Sequence, residues 1–509
     1  MTRRAAIALA AFAVLLVAGC GGGGGGGGDD LASLVPADAP VYVESVVRPE
    51  GEQRDAIESL SSRIGGIDDP GGAVVQQLDA EFASDDAGVT YEDDIAPWLG
   101  ERAAIYFPSF RSSSRFAAIL ETTDSGVAQD FLEKLTSSFP DAVTDATYNG
   151  VDYFRVAGEG CCVALGILDD FLAVGTLDEF KAAVDASKGD SLADSSVFHE
   201  ASSALPDDNL AFGYTDGTQA GDALSALTTD PLQATALKSA LETLANGPVT
   251  FSVSATPDTA TVDVSLPTGV VAQLDGGDLV GQSPADAWLS VGLQNVGGVL
   301  GDALGAAGAL QIPAVEDRIK RLTGVDPKDV LPWMHNGHAF VSGTSEQTIA
   351  IGGVVGSDDP DASSKAIDAF HKRFEQDADA KLGPPPKGAD EGFSASAPES
   401  PQAIQIGQFG DQVVAALGSG QPGEEALDPK QPLSDDSTFQ AAVDALGSDS
   451  SPLAFLSLTP FFVVAEKGGS ASDPDYIAAK PYLQKLEYLL VGTARDGDRS
   501  TARFVVGVK

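Results

Sequence analysis

Two of the four histidines stand close enough in the sequence to bind one metal ion. His335 and His338 form the segment HNGH, and imidazole nitrogens are common zinc ligands. A third ligand would have to be an unspecified carboxylate, since no cysteine lies nearby. The sequence contains an internal repeat, described below, and its first copy has Gly100 and Ala103 at the positions of His335 and His338. We therefore favour a surface loop over a zinc site and predict no metal.

The sequence also offers little support for enzymatic chemistry. His199 and Glu200 begin like the metalloprotease motif HExxH, but Ser203 stands where the second histidine belongs. Neither a GxSxG elbow nor a phosphate-binding GxxxxGK[ST] loop is present. Carboxylates are so numerous that no pair can be singled out as acid and base. We predict no catalytic residue and no cofactor, and an extracytoplasmic hydrolase with an unrecognised carboxylate site stays an alternative.

The N-terminus has the layout of an export signal. Two arginines precede the uncharged apolar run Ala5–Ala18, which is too short to span a bilayer as a stable helix. The segment Val17–Cys20 resembles the lipobox of bacterial lipoproteins. That resemblance implies cleavage after residue 19 and a diacylglyceryl group on Cys20, with palmitate as the expected acyl chain. The membrane is then a partner through Cys20, and the expected location is the extracytoplasmic face of the cell membrane.

Residues 20–31 contain eight consecutive glycines, which predict a flexible tether. A coil of this length has a mean span of roughly 15 Å, so a folded body would stand just clear of the headgroups. Without the two signal-peptide arginines the chain has 28 basic and 75 acidic residues, a net charge of −47. Such a body repels nucleic acid, which we exclude as a partner. The acidity is interpreted as a solvated surface, with weak cation binding or salt adaptation as alternatives.

The other two cysteines, Cys161 and Cys162, are adjacent. Neighbouring Cα atoms lie about 3.8 Å apart, shorter than the usual span of a disulfide, so a bridge between them would be strained. Plain thiols are therefore the favoured interpretation, and a vicinal disulfide remains the alternative.

The chain contains an internal repeat. Three segments occur twice in the sequence. They begin at Pro36, Asp93 and Asp190, and their second copies begin at Pro284, Lys328 and Gln431, respectively. The second match places Pro97 on Pro332 and Trp98 on Trp333. The order and the similar separations predict two tandem homologous domains over residues 32–266 and 284–509, joined by a linker over residues 267–283.

Each copy predicts the same plan of strands and helices. Residues 41–47 and 288–293 are expected strands, a helix follows the capping residue Asp124, and Asn149-Gly150 suits a tight hairpin. Leucines 237, 241 and 244 form a helical stripe, and glycines 297, 301 and 305 permit close helix packing. The fold class is α+β, with a mostly antiparallel sheet covered by helices on one face. Both tryptophans are expected to hold the Pro-Trp turn against this sheet.

The segments PADAPVYVE, DDIAPWLG and DDFLAVGTLDEFKAAVDASKGDSLADSSVF begin at Pro36, Asp93 and Asp169. They resemble those of an uncharacterised family of lipoproteins and exported proteins from high-GC Gram-positive bacteria. The resemblance implies a fold and a location but no site. We predict a non-enzymatic protein that binds a ligand or an envelope protein, with the site between its two copies. A structural or assembly protein without a small ligand is the main alternative.

Overall fold

A computed structural model describes residues 31–84, 88–109, 114–157, 162–203, 208–217, 247–267, 274–309, 320, 325–345, 347–376, 380–398, 400–497 and 499–509. Cys20, the predicted signal peptide, the glycine segment, Cys161 and the leucine stripe at 237–244 lie outside these residues. The described residues form two compact units: residues 31–217 with 247–267 form unit 1, and residues 274–509 form unit 2.

Unit 1 contains a ten-stranded sheet in which each strand is antiparallel to its neighbours. Its strands are β1 Val41–Val46, β2 Leu99–Phe107, β3 Ala117–Thr122, β4 Val143–Tyr148, β5 Val151–Ala157, β6 Cys162–Leu168, β7 Phe171–Thr176, β8 Ala211–Asp216, β9 Pro248–Ala255 and β10 Thr259–Pro267. The strand order is β4-β5-β6-β7-β3-β2-β1-β8-β9-β10.

Several α-helices accompany this sheet in the described part of unit 1. They are α1 Gly51–Gly65, α2 Pro70–Ser84, α3 Ser125–Ser137, α4 Leu177–Ala186 and α5 Ser196–Ser202. Two clusters of buried side chains lie on the two faces of the sheet. One contains Leu78 and Phe82 of α2 with Phe131 of α3, and the other contains Phe180 of α4 with Phe198 of α5.

The expectation of a single covered face is therefore wrong for unit 1, whereas the α+β class is confirmed. In β3 the four residues from Ala117 to Leu120 are all buried, with no polar alternation. A continuous apolar run of this kind is typical of a strand that is covered on both faces.

Unit 2 contains a second ten-stranded antiparallel sheet. Its strands are β11 Ala287–Leu293, β12 Met334–Ser342, β13 Ala350–Ser357, β14 Lys381–Gly383, β15 Glu391–Ser396, β16 Gln402–Phe409, β17 Gln412–Ser419, β18 Ser451–Ser457, β19 Leu486–Asp496 and β20 Arg499–Val508. The strand order is β14-β15-β16-β17-β13-β12-β11-β18-β19-β20. Strand by strand, this is the order found in unit 1.

The helices described in unit 2 are α6 Val296–Ala309, α7 Pro327–Val330, α8 Pro360–Glu375, α9 Pro422–Leu427, α10 Ser437–Leu446, α11 Leu458–Lys467 and α12 Pro474–Leu483. Helix α8 packs with Trp333 on one face of the sheet, and α9 packs with Phe340 on the other face. Both faces of this sheet are therefore also covered.

Two local features follow directly from the sequence. The Asp124 carboxylate accepts hydrogen bonds from the backbone N–H groups of Gly126 and Val127, at 3.0 and 3.1 Å, and so caps α3. Asn149 and Gly150 have φ angles of +47° and +82° and connect β4 to β5. Positive φ at both central residues is the requirement of a type I′ hairpin turn, so both predictions are confirmed.

Candidate functional site

The chain has three tryptophans, and two of their indole N–H groups donate to backbone carbonyls. Trp98 Nε1 donates to the Asp94 oxygen at 2.6 Å, and Trp288 Nε1 donates to the Gly343 oxygen at 2.7 Å. Trp333 is only 4% exposed, and its Nε1 is buried without a hydrogen-bond partner in the described part of the chain. A buried donor without a partner costs about 1–3 kcal/mol, so Trp333 requires an explanation.

The turns before Trp98 and Trp333 are wound differently. Residues Tyr91–Ile95 form a π-helical turn, in which the Ala96 N–H donates to the Tyr91 oxygen. Residues Leu331–Trp333 form a tighter 3₁₀ turn after α7. This difference in winding accompanies the difference in hydrogen bonding of the two indoles. The sequence match of the two Pro-Trp segments gave no sign of it.

Trp333 lines an apolar cavity of about 450 Å³ in unit 2. The cavity lies between α6, α8 and one face of the sheet. Its described lining is Val291, Leu293, Val296, Leu300, Val330, Trp333, Met334, Gly337, His338, Ala339, Gly353, Val354, Val355, Ser363, Ala366, Ile367, Phe370, Ile406, Val413 and Ala415. None of these residues carries a charged carboxylate, ammonium or guanidinium group. Leu300, one of these residues, is 40% exposed.

The cavity lies over a row of five facing residues whose three middle side chains are small. We define the central row of each sheet as the five residues that face one another across five neighbouring strands. In unit 1 the central row is Val43, Ile105, Ala118, Val174 and Leu165. In unit 2 it is Val291, Ala339, Gly353, Ala415 and Ile406. The three middle side chains are smaller in unit 2 at every position.

The next row along the same face shows the same trend. Ala103, Leu120 and Leu172 face one another in unit 1. Gly337, Val355 and Val413 hold these places in unit 2. In unit 1 the larger side chains pack under Leu78 and Phe82 of α2 in one continuous buried cluster. Among the described residues, the same face of unit 2 therefore has space that unit 1 fills with its own side chains.

The two histidines of HNGH do not converge on one site. The His335 side chain is 52% exposed, and its Nε2 lies 4.0 Å from the Asp358 carboxylate. His338 is 7% exposed and alternates with Gly337 and Ala339, so its side chain lies on the opposite face of the sheet from the cavity. Among the described residues, no group of three or more histidine, cysteine or acidic side chains is placed to bind a metal ion.

Burial lowers the pKa of His338 below its usual value, and a hydrogen bond to the Ala426 backbone opposes this shift in part. His338 is therefore neutral at pH 7. In the strand register of unit 2, His338 faces Gly292. The equivalent pair in unit 1 is Ala104 and Glu44, so His338 corresponds to Ala104. The sequence match aligned His338 with Ala103 instead, which is a shift of one residue caused by the irregular start of both strands.

Unit 1 has buried charges that the sequence did not single out. The Glu44 carboxylate accepts hydrogen bonds from Tyr42 Oη, at 2.6 Å, and from Arg102 Nε. Glu179 pairs with Arg115 at 2.5 Å and accepts a hydrogen bond from Thr176 Oγ1. Arg102 is buried in the core, whereas the Arg115 side chain is 52% exposed, and neither carboxylate lines a described cavity. These groups have a structural role.

Cys162 in β6 is a half-buried thiol whose sulfur accepts a hydrogen bond from Arg155 Nη2 at 2.9 Å. That hydrogen bond raises the pKa of Arg155. Across the described ranges, no helix combines the length and the hydropathy that a membrane span requires.

The chain belongs to a family described as "Protein of unknown function (DUF3352)", whose model matches residues 5–462. A comparison with curated proteins gave no match. A solved structure entitled "Structure of crystal form I of TP0453" is similar to the chain at 15% sequence identity, with a TM-score of 0.24. The likeness covers 47% of this chain and 78% of that one.

Proposed function

We propose that this protein is a non-enzymatic lipoprotein, attached through Cys20 to the extracytoplasmic face of the cell membrane, that binds an apolar ligand in the cavity of unit 2. The observation that carries the proposal is the cavity itself. Its volume of about 450 Å³ lies within the range of small-molecule sites, roughly 300–1,000 Å³. Its described lining is almost entirely apolar, which favours an apolar ligand over a polar one.

We also infer that the two units are tandem homologous domains. The inference is supported by the matching segments at Trp98 and Trp333 and by the strand order that the units share. After a duplication one copy can keep a filled core while the other loses side-chain volume. The central rows differ in this way, since Ile105 and Val174 occupy the places of Ala339 and Ala415. The ligand site expected between the copies stays a prediction.

Refilling the cavity tests the proposed function. The double variant Ala339→Ile/Ala415→Val gives unit 2 the residues of the unit 1 central row. The mature protein would be released from its own envelope and examined by native mass spectrometry before and after solvent extraction. We expect an extractable additional mass on the wild type and little or none on the double variant.

Gly353→Ala is the matched control. A Cβ atom at Gly353 would lie 3.4 Å from the His338 backbone oxygen and 3.8 Å from the Ala339 Cβ, which is ordinary contact. One methyl group removes little cavity volume, so this variant should keep the bound mass. If the wild type carries no extractable mass, or if the double variant keeps it, the proposed ligand site is wrong and a structural or assembly role gains support.

A further inference from the structure

Unit 1 has a cleft of its own, which the proposed function does not use. The cleft has a volume of about 440 Å³ and lies between α1 and α2, beside the π-helical turn that begins at Tyr91. Apolar and charged side chains line it together, and its volume suits a small molecule. The apolar lining residues are Val47, Ile57, Val74, Val75, Leu78 and Leu99.

Arg48 lines the cleft with a guanidinium group that is only partly paired. Its Nη1 donates to the Ala96 and Leu99 backbone oxygens at 3.0 and 2.7 Å, and these neutral acceptors hold the group in place. Nε and Nη2 have no partner among the described residues and are accessible to solvent. These two atoms form the edge of the guanidinium whose parallel N–H groups match the two oxygens of a carboxylate. Arg48 is therefore positioned to bind a carboxylate from the cleft.

Tyr91 supplies a second donor to the same cleft. Burial raises the pKa of Tyr91, the nearby Arg48 charge opposes this rise, and Glu92 adds to it. The phenol is therefore protonated at neutral pH. Its Oη has no partner among the described residues and is likewise accessible, so it can donate a hydrogen bond to a carboxylate held by Arg48.

Acidic side chains of the cleft restrict the ligand further. Glu58 pairs with Arg54 at 2.7 Å, whereas Glu50, Asp69 and Glu92 form no ion pair within the described part of the chain. These three carboxylates repel a simple anion, as does the net charge of −45 of the whole chain. A ligand with both an ammonium group and a carboxylate has a partner for each charge. The apolar lining favours an apolar side chain between them.

We propose that the cleft of unit 1 binds a zwitterion, in the form of a free apolar amino acid or a short apolar peptide. Its carboxylate accepts hydrogen bonds from Arg48 and Tyr91, and its ammonium group lies among Glu50, Asp69 and Glu92. Its side chain contacts the apolar lining. Unit 1 then has a charged site and unit 2 an apolar one, so the two units take ligands of different chemistry.

Changes in the ligand test each charge separately. Dissociation constants of leucine, leucyl-leucine, N-acetyl-leucyl-leucine and leucyl-leucinamide would be measured by calorimetry on the full chain carrying Cys20→Ser. The acetyl derivative lacks the ammonium charge, and the amide lacks the carboxylate. We expect each derivative to bind about tenfold more weakly than leucyl-leucine. Tighter binding of leucine than of leucyl-leucine identifies the ligand as a free amino acid, and the reverse order identifies it as a peptide.

Changes in the protein test the two ends of the site. Tyr91→Phe removes a hydroxyl group that has no partner among the described residues, so the fold should be kept. It should weaken leucyl-leucine binding about tenfold and leave leucyl-leucinamide binding unchanged. The double variant Glu50→Gln/Glu92→Gln neutralises two exposed carboxylates. It should weaken leucyl-leucine binding and strengthen binding of the acetyl derivative, because less negative charge then opposes the ligand carboxylate.

Tyr148→Phe is the matched control, since Tyr148 Oη donates to Asp185 at 2.9 Å and lies outside the described lining of the cleft. This variant should bind leucyl-leucine as the parent does. If neither leucine nor leucyl-leucine binds, the proposed site is wrong. Equal binding of leucyl-leucine and its amide would overturn the carboxylate contact with Arg48 and Tyr91. Equal binding of leucyl-leucine and its acetyl derivative would overturn the zwitterionic class.

Discussion

Glu44 is a fully buried carboxylate whose two oxygens have different partners. Tyr42 Oη donates to one oxygen at 2.6 Å, and Arg102 Nε donates to the other. The Arg102 guanidinium also reaches Asn209 Oδ1 at 3.5 Å. A buried ion pair adds little net stability compared with apolar residues of the same shape, but loss of one partner leaves an uncompensated charge. This network therefore makes unit 1 sensitive to single changes.

Glu44→Gln is expected to reduce the free energy of unfolding by about 3–5 kcal/mol, because it leaves the buried Arg102 charge without a counter-ion. Urea denaturation measures the loss. Glu58→Gln is the control, since the Arg54–Glu58 pair joins side chains that are 61% and 36% exposed and should be worth less than about 1 kcal/mol. Similar losses in the two variants would contradict the structural role of the buried pair.

His338 predicts a pH dependence in unit 2. Burial holds the folded pKa below the unfolded value of about 6.5, so the unfolded chain takes up a proton first as the pH falls. Stability should therefore decline from about pH 7 downwards until the folded pKa is reached. His338→Gln can still hydrogen-bond to the Ala426 carbonyl and does not titrate. Thermal melts from pH 8 to pH 5 should show a flatter profile for the variant, and identical profiles would contradict this source of pH dependence.

At the scale of elements, a glycine allows α6 to pack closely against the Pro-Trp turn. A Cβ atom at Gly297 would lie only 1.9 Å from the Leu331 backbone oxygen, so no other residue fits without movement. A Cβ atom at Gly301 would have no heavy atom of the described residues within 4 Å. The sequence predicted close packing for the whole glycine stripe, and the structure requires it at Gly297 and not at Gly301. The side chain environment at position 305 is outside the described part.

Gly297→Ala should destabilise unit 2 by about 1–3 kcal/mol, because α6 must move away from the turn that ends at Trp333. Gly301→Ala, one helical turn later, should instead add up to about 1 kcal/mol through helix propensity. Urea denaturation of both variants gives the sign of each effect. Destabilisation by Gly301→Ala, or a neutral result for Gly297→Ala, would contradict the described packing of this helix.

Local chemistry explains what could be predicted from the sequence. The Asp124 cap and the Asn149-Gly150 turn depend on residues that are adjacent in the chain, so their structure follows from residue type. The cavity depends on Gly353 facing Ala415, more than sixty residues away in the chain, through a pairing of β13 with β17. No local pattern encodes that pairing. The indole N–H of Trp333, which has no partner among the described residues, could not be predicted either, because its sequence context matches that of Trp98.

At the scale of the whole molecule, the proposed attachment to the membrane must overcome the charge of the protein. The chain carries 75 acidic and 30 basic residues, and this excess opposes contact with anionic headgroups. A proposed diacylglyceryl group on Cys20 supplies two hydrocarbon chains, each methylene contributing about 0.8 kcal/mol when buried. The predicted glycine tether would then keep the acidic body about 15 Å from the surface. The anchor and the charge act in opposition, so loss of the anchor should release the protein completely.

Cys20→Ser tests this balance. The variant should move from the membrane fraction to the soluble extracytoplasmic fraction, and lower ionic strength should not return it, because weaker screening strengthens the repulsion. Fractionation followed by immunodetection measures the distribution. Cys162→Ser is the control, since this thiol lies in β6 of unit 1, and the variant should stay with the membrane. Retention of the Cys20→Ser protein in washed membranes would show that the folded body itself binds the envelope, and the lipid anchor would then be unnecessary for its location.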